Sequence, residues 1–320
     1  MKRKNNLYEQ VYNIYNLERT AEIAALGKAK QYGVIEFRQH PDEYLMALYN
    51  MLRDKTYKTS PYTIFKIHEP KERIIYRLPF FPDRILHHAV MNILERIFVA
   101  TFTADTYSCI KKRGIHALSK KVRKYLKNIP ETTYCLKLDI TKFYPSVDHA
   151  IIKQLLRRII KDKDLLWLLD EIIDSAPGLP IGNYLSQYLA NFYLSYFDHW
   201  LKEVKRVKYY VRYADDLVIL HNSKAYLHAL RAEIQAYLYD KLHLLVKGNY
   251  QVFKVEDRGI DVVGYKHFHN RVLIRKSIKK NFARAVKARK PRASIDSYKG
   301  WAKHANSKHL LKTLFPNESI

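Results

Sequence analysis

Residues 210–220 read YVRYADDLVIL, and Asp215 and Asp216 stand there as adjacent carboxylates between two apolar runs. Upstream, Tyr210-Val211-Arg212-Tyr213 is β-branched and aromatic, as strands prefer. Downstream, Leu217-Val218-Ile219-Leu220 is a continuous apolar run that suits a strand in a covered sheet. The pair then falls at the tip of a hairpin, where two roles are open to it. Aspartate is an ordinary turn residue, and carboxylates on a rigid sheet are also hard oxygen donors for divalent cations. A third carboxylate, Asp139, closes the stretch TYCLKLD, in which Tyr134, Leu136 and Leu138 face one way and Cys135, Lys137 and Asp139 the other. Carboxylates converging from separate segments can hold two divalent ions, one activating a hydroxyl nucleophile and the other stabilising a leaving pyrophosphate. That convergence requires the strands of Asp139 and of Asp215-Asp216 to be neighbours in one sheet.

The chain has the material for such a sheet. Its 320 residues are 48% hydrophobic and 13% aromatic, enough for one large domain or two to three subdomains sharing a core. Fifty-seven lysines and arginines against 31 acidic residues leave a formal charge of +26. An excess of that size points to a polyanionic partner, because neutralised phosphates release counterions. Cys109 and Cys135 are the only cysteines and form no C-x-x-C pattern, so neither a zinc site nor a disulfide framework is expected. Reduced thiols fit a cytoplasmic setting. The start, MKRKNNLYEQ, is basic without the apolar core of a signal peptide, and no apolar run reaches membrane-spanning length. No membrane partner is expected.

The elements that must position the carboxylates follow from periodicity. Residues 1–60 carry helical spacing, as at Leu45, Leu48 and Leu52, and end in the turn-rich TYKTSPYT. IFKIHEPKERIIYRL alternates apolar and basic residues about Glu69-Pro70 and reads as a basic hairpin. A helical period follows over 83–98, and HAIIKQLLRRIIK is a second helix after the Asp139 strand. The turn APGLPIGN opens a helix with Leu185, Leu189, Tyr193, Tyr196 and Trp200 on one face. After the 210–220 hairpin come a helix near 224–238 and a second β region over 242–274. From Arg271 onward, fourteen lysines and arginines face only Asp296 and Glu318, over an apolar stripe of Ile278, Phe282 and Val286. A helix packed on the protein and turned toward nucleic acid accounts for both features.

The order strand–helix, turn–helix, strand–Asp–Asp–strand resembles the palm of the reverse transcriptases, and the resemblance covers most of the chain. LKLDITKFYPSV is similar to their first catalytic motif, and RYADD to their Tyr-x-Asp-Asp. The resemblance implies a right-hand polymerase fold of mixed α/β (α+β) class. Its parts would be an N-terminal helical extension (1–60), fingers (61–132), a palm with an antiparallel sheet plus helices and interleaved fingers elements (133–265), and a basic helical thumb (266–320). It implies Asp139, Asp215 and Asp216 as catalytic metal ligands, joined by Ile140, for two Mg2+ ions with Mn2+ as a substitute. Tyr144 matches the bulky residue that excludes a 2′-hydroxyl. Lys71 and Arg73, in PKERIIYRLPFFPDR, match the basic residues that hold an incoming deoxynucleoside triphosphate. Lys247 matches the lysine that protonates pyrophosphate. DVVGYKHF resembles the element gripping the primer end, at Val263, Gly264 and Tyr265, with Val262-Val263 replacing the more usual Phe-Leu.

One departure narrows the resemblance. Where reverse transcriptases commonly carry Gln-Gly-x-x-x-Ser-Pro against template and nucleotide, this chain has IGNYLSQ, at Ile181, Gly182 and Gln187. That pattern looks like the reverse transcriptases of diversity-generating retroelements, which copy a template RNA into cDNA with errors concentrated at adenines and work with a small basic accessory protein. Alternative readings are a group II intron-like, retron or phage-defence reverse transcriptase, or an RNA-binding scaffold without chemistry. No maturase or endonuclease region is expected after the tail.

Overall fold

Leu45, Leu48 and Leu52 recur at three- and four-residue intervals. In the computed structural model, which describes residues 2–68 and 72–316, they form the buried stripe of the helix Pro41–Arg53. The chain folds as two units. One comprises Met1–Thr103, Thr141–Asp198 and Leu238–Leu244, the other Ala104–Ile140, His199–Tyr237 and Leu245–Ile320. Each unit is assembled from three separate segments of the chain.

In the first unit, short helices lead to the expected hairpin, β1 (Thr63–Ile67) and β2 (Arg73–Arg77), paired from Thr63 with Arg77 to Ile67 with Arg73. The expected helix over 83–98 is Ile85–Thr101, with Ile85, Leu86, Ala89, Val90, Leu94 and Phe98 buried. Asp83 before it is fully buried and accepts hydrogen bonds from Tyr57 Oη (2.7 Å) and the Ser60 amide (3.1 Å), joining the turn-rich break to the helix start. The helices His149–Ile159 and Lys163–Asp174 begin at Asp148 and Asp162, whose carboxylates accept from first-turn amides. The stripe expected on one helix is interrupted. Leu185, Leu189 and Tyr193 are buried in Tyr184–Tyr193, but the chain turns at Leu194, where Ser195 Oγ donates to the Phe192 carbonyl at 2.7 Å. A serine hydroxyl bonding back competes with the helix ladder.

The second unit holds a five-stranded sheet of β3 (Thr106–Tyr107), β4 (Tyr134–Asp139), β5 (Tyr209–Tyr213), β6 (Asp216–His221) and β7 (Gln251–Lys254). Its order is β3-β5-β6-β4-β7, antiparallel throughout except for the short parallel edge strand β3. β4 alternates as its sequence requires. Cys135 packs with Val211, Val218, Leu220 and Val255 beneath Leu118, Val122 and Leu126 of the helix Ile115–Leu126. The β region expected as one piece is split between two sheets. β7 belongs to the large one, while β8 (Ile260–Val262), β9 (Tyr265–His267) and β10 (Val272–Ile274) form a small antiparallel meander. The basic tail is helical over Lys276–Lys287, Arg292–Ala302 and Lys308–Leu314, and Phe282 is buried and stacked on Tyr298. The architecture is mixed α/β, with the mostly antiparallel sheet that a palm requires. Both cysteines are free thiols. Among the described residues no helix is long and apolar enough to cross a membrane.

Candidate active site

β4 and β6 are neighbours, and their register sets Asp139 opposite Asp216. Asp216 does not sit at the hairpin tip as the sequence implies. It is the first residue of β6 and also pairs with Tyr213 of β5. The turn is Ala214-Asp215, with Ala214 at φ +53°, and the buried Arg212 donates from Nη1 to the Ala214 carbonyl at 2.9 Å. Three carboxylates thereby gather at one corner of the sheet.

Two lysines accompany them. Lys247 Nζ lies 2.7 Å from Asp139 Oδ2, and the Lys247 amide donates to the Asp139 carbonyl at 2.8 Å. Lys137, on the same face of β4 as Asp139, has its Nζ 3.5 Å from Asp216 Oδ1 and donates to the Asp261 carbonyl at 2.6 Å. Burial, then the Asp139 charge, push Asp215 up to about 6. Burial raises Asp216 as well, against the pull of Lys137. Asp139 Oδ1 and Asp216 Oδ1 are buried without a hydrogen bond. Open carboxylate oxygens at a site of mutually repelling acids fit hard divalent cations. Among the described residues no group of three or more His, Cys, Asp or Glu side chains is arranged as it stands to hold a metal ion. Ile140, next to Asp139, forms an antiparallel bridge with Val246.

Val263 and Gly264 form the two-residue turn between β8 and β9, at φ +44° and +83°. This is the geometry of a tight hairpin turn, unusual for a β-branched residue. A Cβ on Gly264 would lie 2.4 Å from Trp301 Cζ3, so glycine is what admits the indole. Tyr265 is buried, with its hydroxyl 3.1 Å from the Trp301 carbonyl.

The remaining candidates lie in the first unit. Lys71 falls outside the described residues; Arg73 is exposed at the start of β2. Tyr144 opens a short 3-10 turn, half-buried, and its carbonyl accepts from the Leu179 amide at 2.8 Å. Gly182, at φ +128°, lies so close to β2 that a Cβ would come within 2.3 Å of the Tyr76 carbonyl oxygen, and the Tyr76 amide donates to the Ile181 carbonyl at 2.8 Å. Gly182 and Gln187 line a cavity of about 300 Å3 with Lys28, Arg77, Arg84 and His88. No acidic side chain is among its described lining residues, and Arg84 Nε is buried without a hydrogen bond. Burial lowers Lys28 and Arg84, and burial with the Arg84 charge pushes His88 down to about 4. Lys28, Arg77 and Arg84, with no acid among the described lining residues, offer positive charge that suits an anion. Periodicity missed it because its walls come from well-separated segments.

Sheet, turn and carboxylate corner define the palm-type polymerase class. Residues 66–255 match the family described as "Reverse transcriptase (RNA-dependent DNA polymerase)", and the chain belongs to that family. Protein YkfC of Escherichia coli (strain K12) is 25% identical over 212 residues, covering 52% of this chain and 56% of that protein. Group II intron-encoded protein LtrA of Lactococcus lactis subsp. cremoris is 25% identical over 178 residues, covering 51% of this chain and 29% of that protein. The chain therefore spans just over half of the first relative's length and under a third of the second's. Among solved structures, telomerase from Candida albicans in complex with a fragment of telomeric RNA superposes with a TM-score of 0.53 at 11% identity. That superposition covers 74% of this chain and 52% of the telomerase, a likeness of fold.

Proposed function

We propose that this chain is an RNA-directed DNA polymerase of the group II intron-like kind, extending a primer on an RNA template with deoxynucleoside triphosphates. The observation that carries the reading is the register pairing of Asp139 with Asp216, with an open buried oxygen on each carboxylate. Asp139, Asp215 and Asp216, with the Ile140 main chain, would hold two Mg2+ ions. Bound there, the ions would activate the primer 3′-hydroxyl and stabilise the leaving pyrophosphate. Lys247, held at Asp139, would protonate the departing pyrophosphate. Lys71 and Arg73 would grip the triphosphate, Tyr144 would crowd a 2′-hydroxyl, and the Val263-Gly264-Tyr265 turn would seat the primer end. The cationic cavity beside Gln187 suits a nucleotide phosphate. A charge of +26 and the RNA-bound telomerase of similar fold support an RNA partner. LtrA supports the intron-like kinship by its name.

A second reading, the diversity-generating retroelement, is favoured by Ile181 and Gln187 standing where Gln and Pro are usual. It adds errors at template adenines, cDNA for target diversification, and a small basic accessory protein. Primer extension on a defined RNA template tests the shared chemistry. Mg2+-dependent cDNA is the expected product, whereas tight RNA binding with no cDNA under any divalent ion would leave an RNA-binding scaffold.

A further inference from the structure

A chain of contacts within the second unit joins the carboxylate corner to the turn at Val263-Gly264 and on to the tail helices. Lys137 Nζ stands between Asp216 Oδ1, at 3.5 Å, and the Asp261 carbonyl, to which it donates at 2.6 Å. The Asp261 carboxylate takes both Nε and Nη2 of Arg275 on its Oδ1, each at 2.7 Å. Arg275 is fixed in turn by its own amide, which donates to the Gly264 carbonyl at 2.9 Å, and it is the residue from which the helix Lys276–Lys287 starts. Trp301, of the next helix, closes over Gly264. Val263 meanwhile holds φ +44°, a conformation a β-branched residue keeps only where its surroundings impose it.

We propose that Lys137, Asp261 and Arg275 are positioning residues that hold the Val263-Gly264 turn in register with Asp216, so that nucleic acid engaged by the basic tail aligns the primer end at the carboxylates. The inference rests on the polymerase reading of the site. Asp261 and Arg275 are half-exposed, and an exposed ion pair adds little to global stability. Its two-donor geometry and the backbone anchor of Arg275 instead fix direction. The effect therefore belongs in alignment, not in the unfolding temperature.

Two arms test this on the full chain. In single-turnover extension at saturating primer–template, Arg275→Ala and Asp261→Arg should each slow nucleotide addition about tenfold. Primer–template Kd should change far less, and the pair Asp261→Arg with Arg275→Asp should recover most of the rate. Additive losses in the double variant, or losses confined to Kd, would overturn the proposal. The second arm needs neither nucleotide nor metal. Amide hydrogen exchange in Arg275→Ala should quicken at residues 262–265 and also at 214–217, with the unfolding midpoint kept. Faster exchange at 262–265 alone would show that the turn and Asp216 are not coupled. A parent chain that extends no primer would remove the polymerase reading, and the exchange arm would still decide whether the positioning contacts exist.

Discussion

Asp139 and Asp216 face each other as a register pair across two antiparallel strands, each with one buried oxygen that no hydrogen bond satisfies. Paired positions of this kind lie about 5 Å apart in Cα, and Asp215 is the turn residue directly before Asp216. Lys247 answers one charge and Lys137 another, leaving three carboxylates with two ammonium partners. Divalent cations, if bound there, would offset that imbalance.

Asp139→Asn and Asp216→Asn should accordingly abolish Mg2+-dependent nucleotide addition, by about 10³-fold or more, while RNA binding stays near that of the parent. The amide keeps the side-chain volume and removes the charge. Gel-based primer extension run beside an RNA-binding titration reads both quantities. Either variant extending at near-parental rate would take that aspartate out of the ion site.

Gly182→Ala should displace the basic hairpin. The added methyl would meet the Tyr76 carbonyl oxygen at 2.3 Å, in a backbone conformation that L side chains avoid. The Tyr76 to Ile181 hydrogen bond must then stretch, at a cost of roughly 1–3 kcal/mol in stability. Gly248→Ala is the control, since nothing lies within 4 Å of a Cβ there. Thermal unfolding should separate the two variants by several degrees, and equal midpoints would mean that the Gly182 turn yields without strain.

His267 should make the fold acid-labile. Its Nδ1 donates to the Ile260 carbonyl at 3.3 Å, and Nε2 lies 2.9 Å from Ser119 Oγ, from which the neutral ring accepts. Burial pushes it from 6.5 down to about 4. Between those values the unfolded chain binds a proton that the folded chain refuses. Stability present above pH 6.5 is therefore lost as the pH falls toward 4, by roughly 3 kcal/mol for this group. The fully buried His87, also pushed down to about 4 by burial, adds to the same slope. Denaturant unfolding at pH 7 and pH 4.5 should show the loss, and His267→Gln should reduce it. An unchanged pH slope in that variant would assign the acid lability to other groups.

How much of this was legible depended on whether a local pattern carried the information. The strand ending at Asp139 was readable because alternation put Lys137 and Asp139 on one face, and the hairpin because two acids interrupt apolar runs. The place of Asp216 inside β6 was not, since a two-residue turn and a tip of two acids look alike until Ala214 is seen at φ +53°. The edge strand Thr106–Tyr107 is too short to have a period. Lys137 was on the right face, but its partner Asp261 is 124 residues away. The cavity of Lys28, Arg84 and His88 likewise needs the tertiary fold, because its walls come from separate segments and no local pattern sets these residues apart.

Substitutions at Ile181 and Gln187 test between the two kinds of reverse transcriptase. Ile181 anchors β2 through its carbonyl, and Gln187 lines the cationic cavity with Gly182. An isoleucine side chain at 181 has no polar group with which to restrain a template–nucleotide pair, whereas a glutamine there offers both a donor and an acceptor. Loss of such restraint narrows the free-energy gap between correct and incorrect nucleotides, and each 1.4 kcal/mol is about tenfold in selectivity. If the chain is of the retroelement kind, Ile181→Gln, alone or with Gln187→Pro, should lower misincorporation opposite adenine more than opposite the other bases. The Ile181 carbonyl that holds Tyr76 is main chain and survives both changes, so yield should stay near parental. Deep sequencing of cDNA from a defined RNA template measures error by base, with total yield as the control for damage. A parent whose errors are already even across the four bases would favour the intron-like kind. Adenine errors that persist unchanged in both variants at normal yield would place the infidelity away from these two residues.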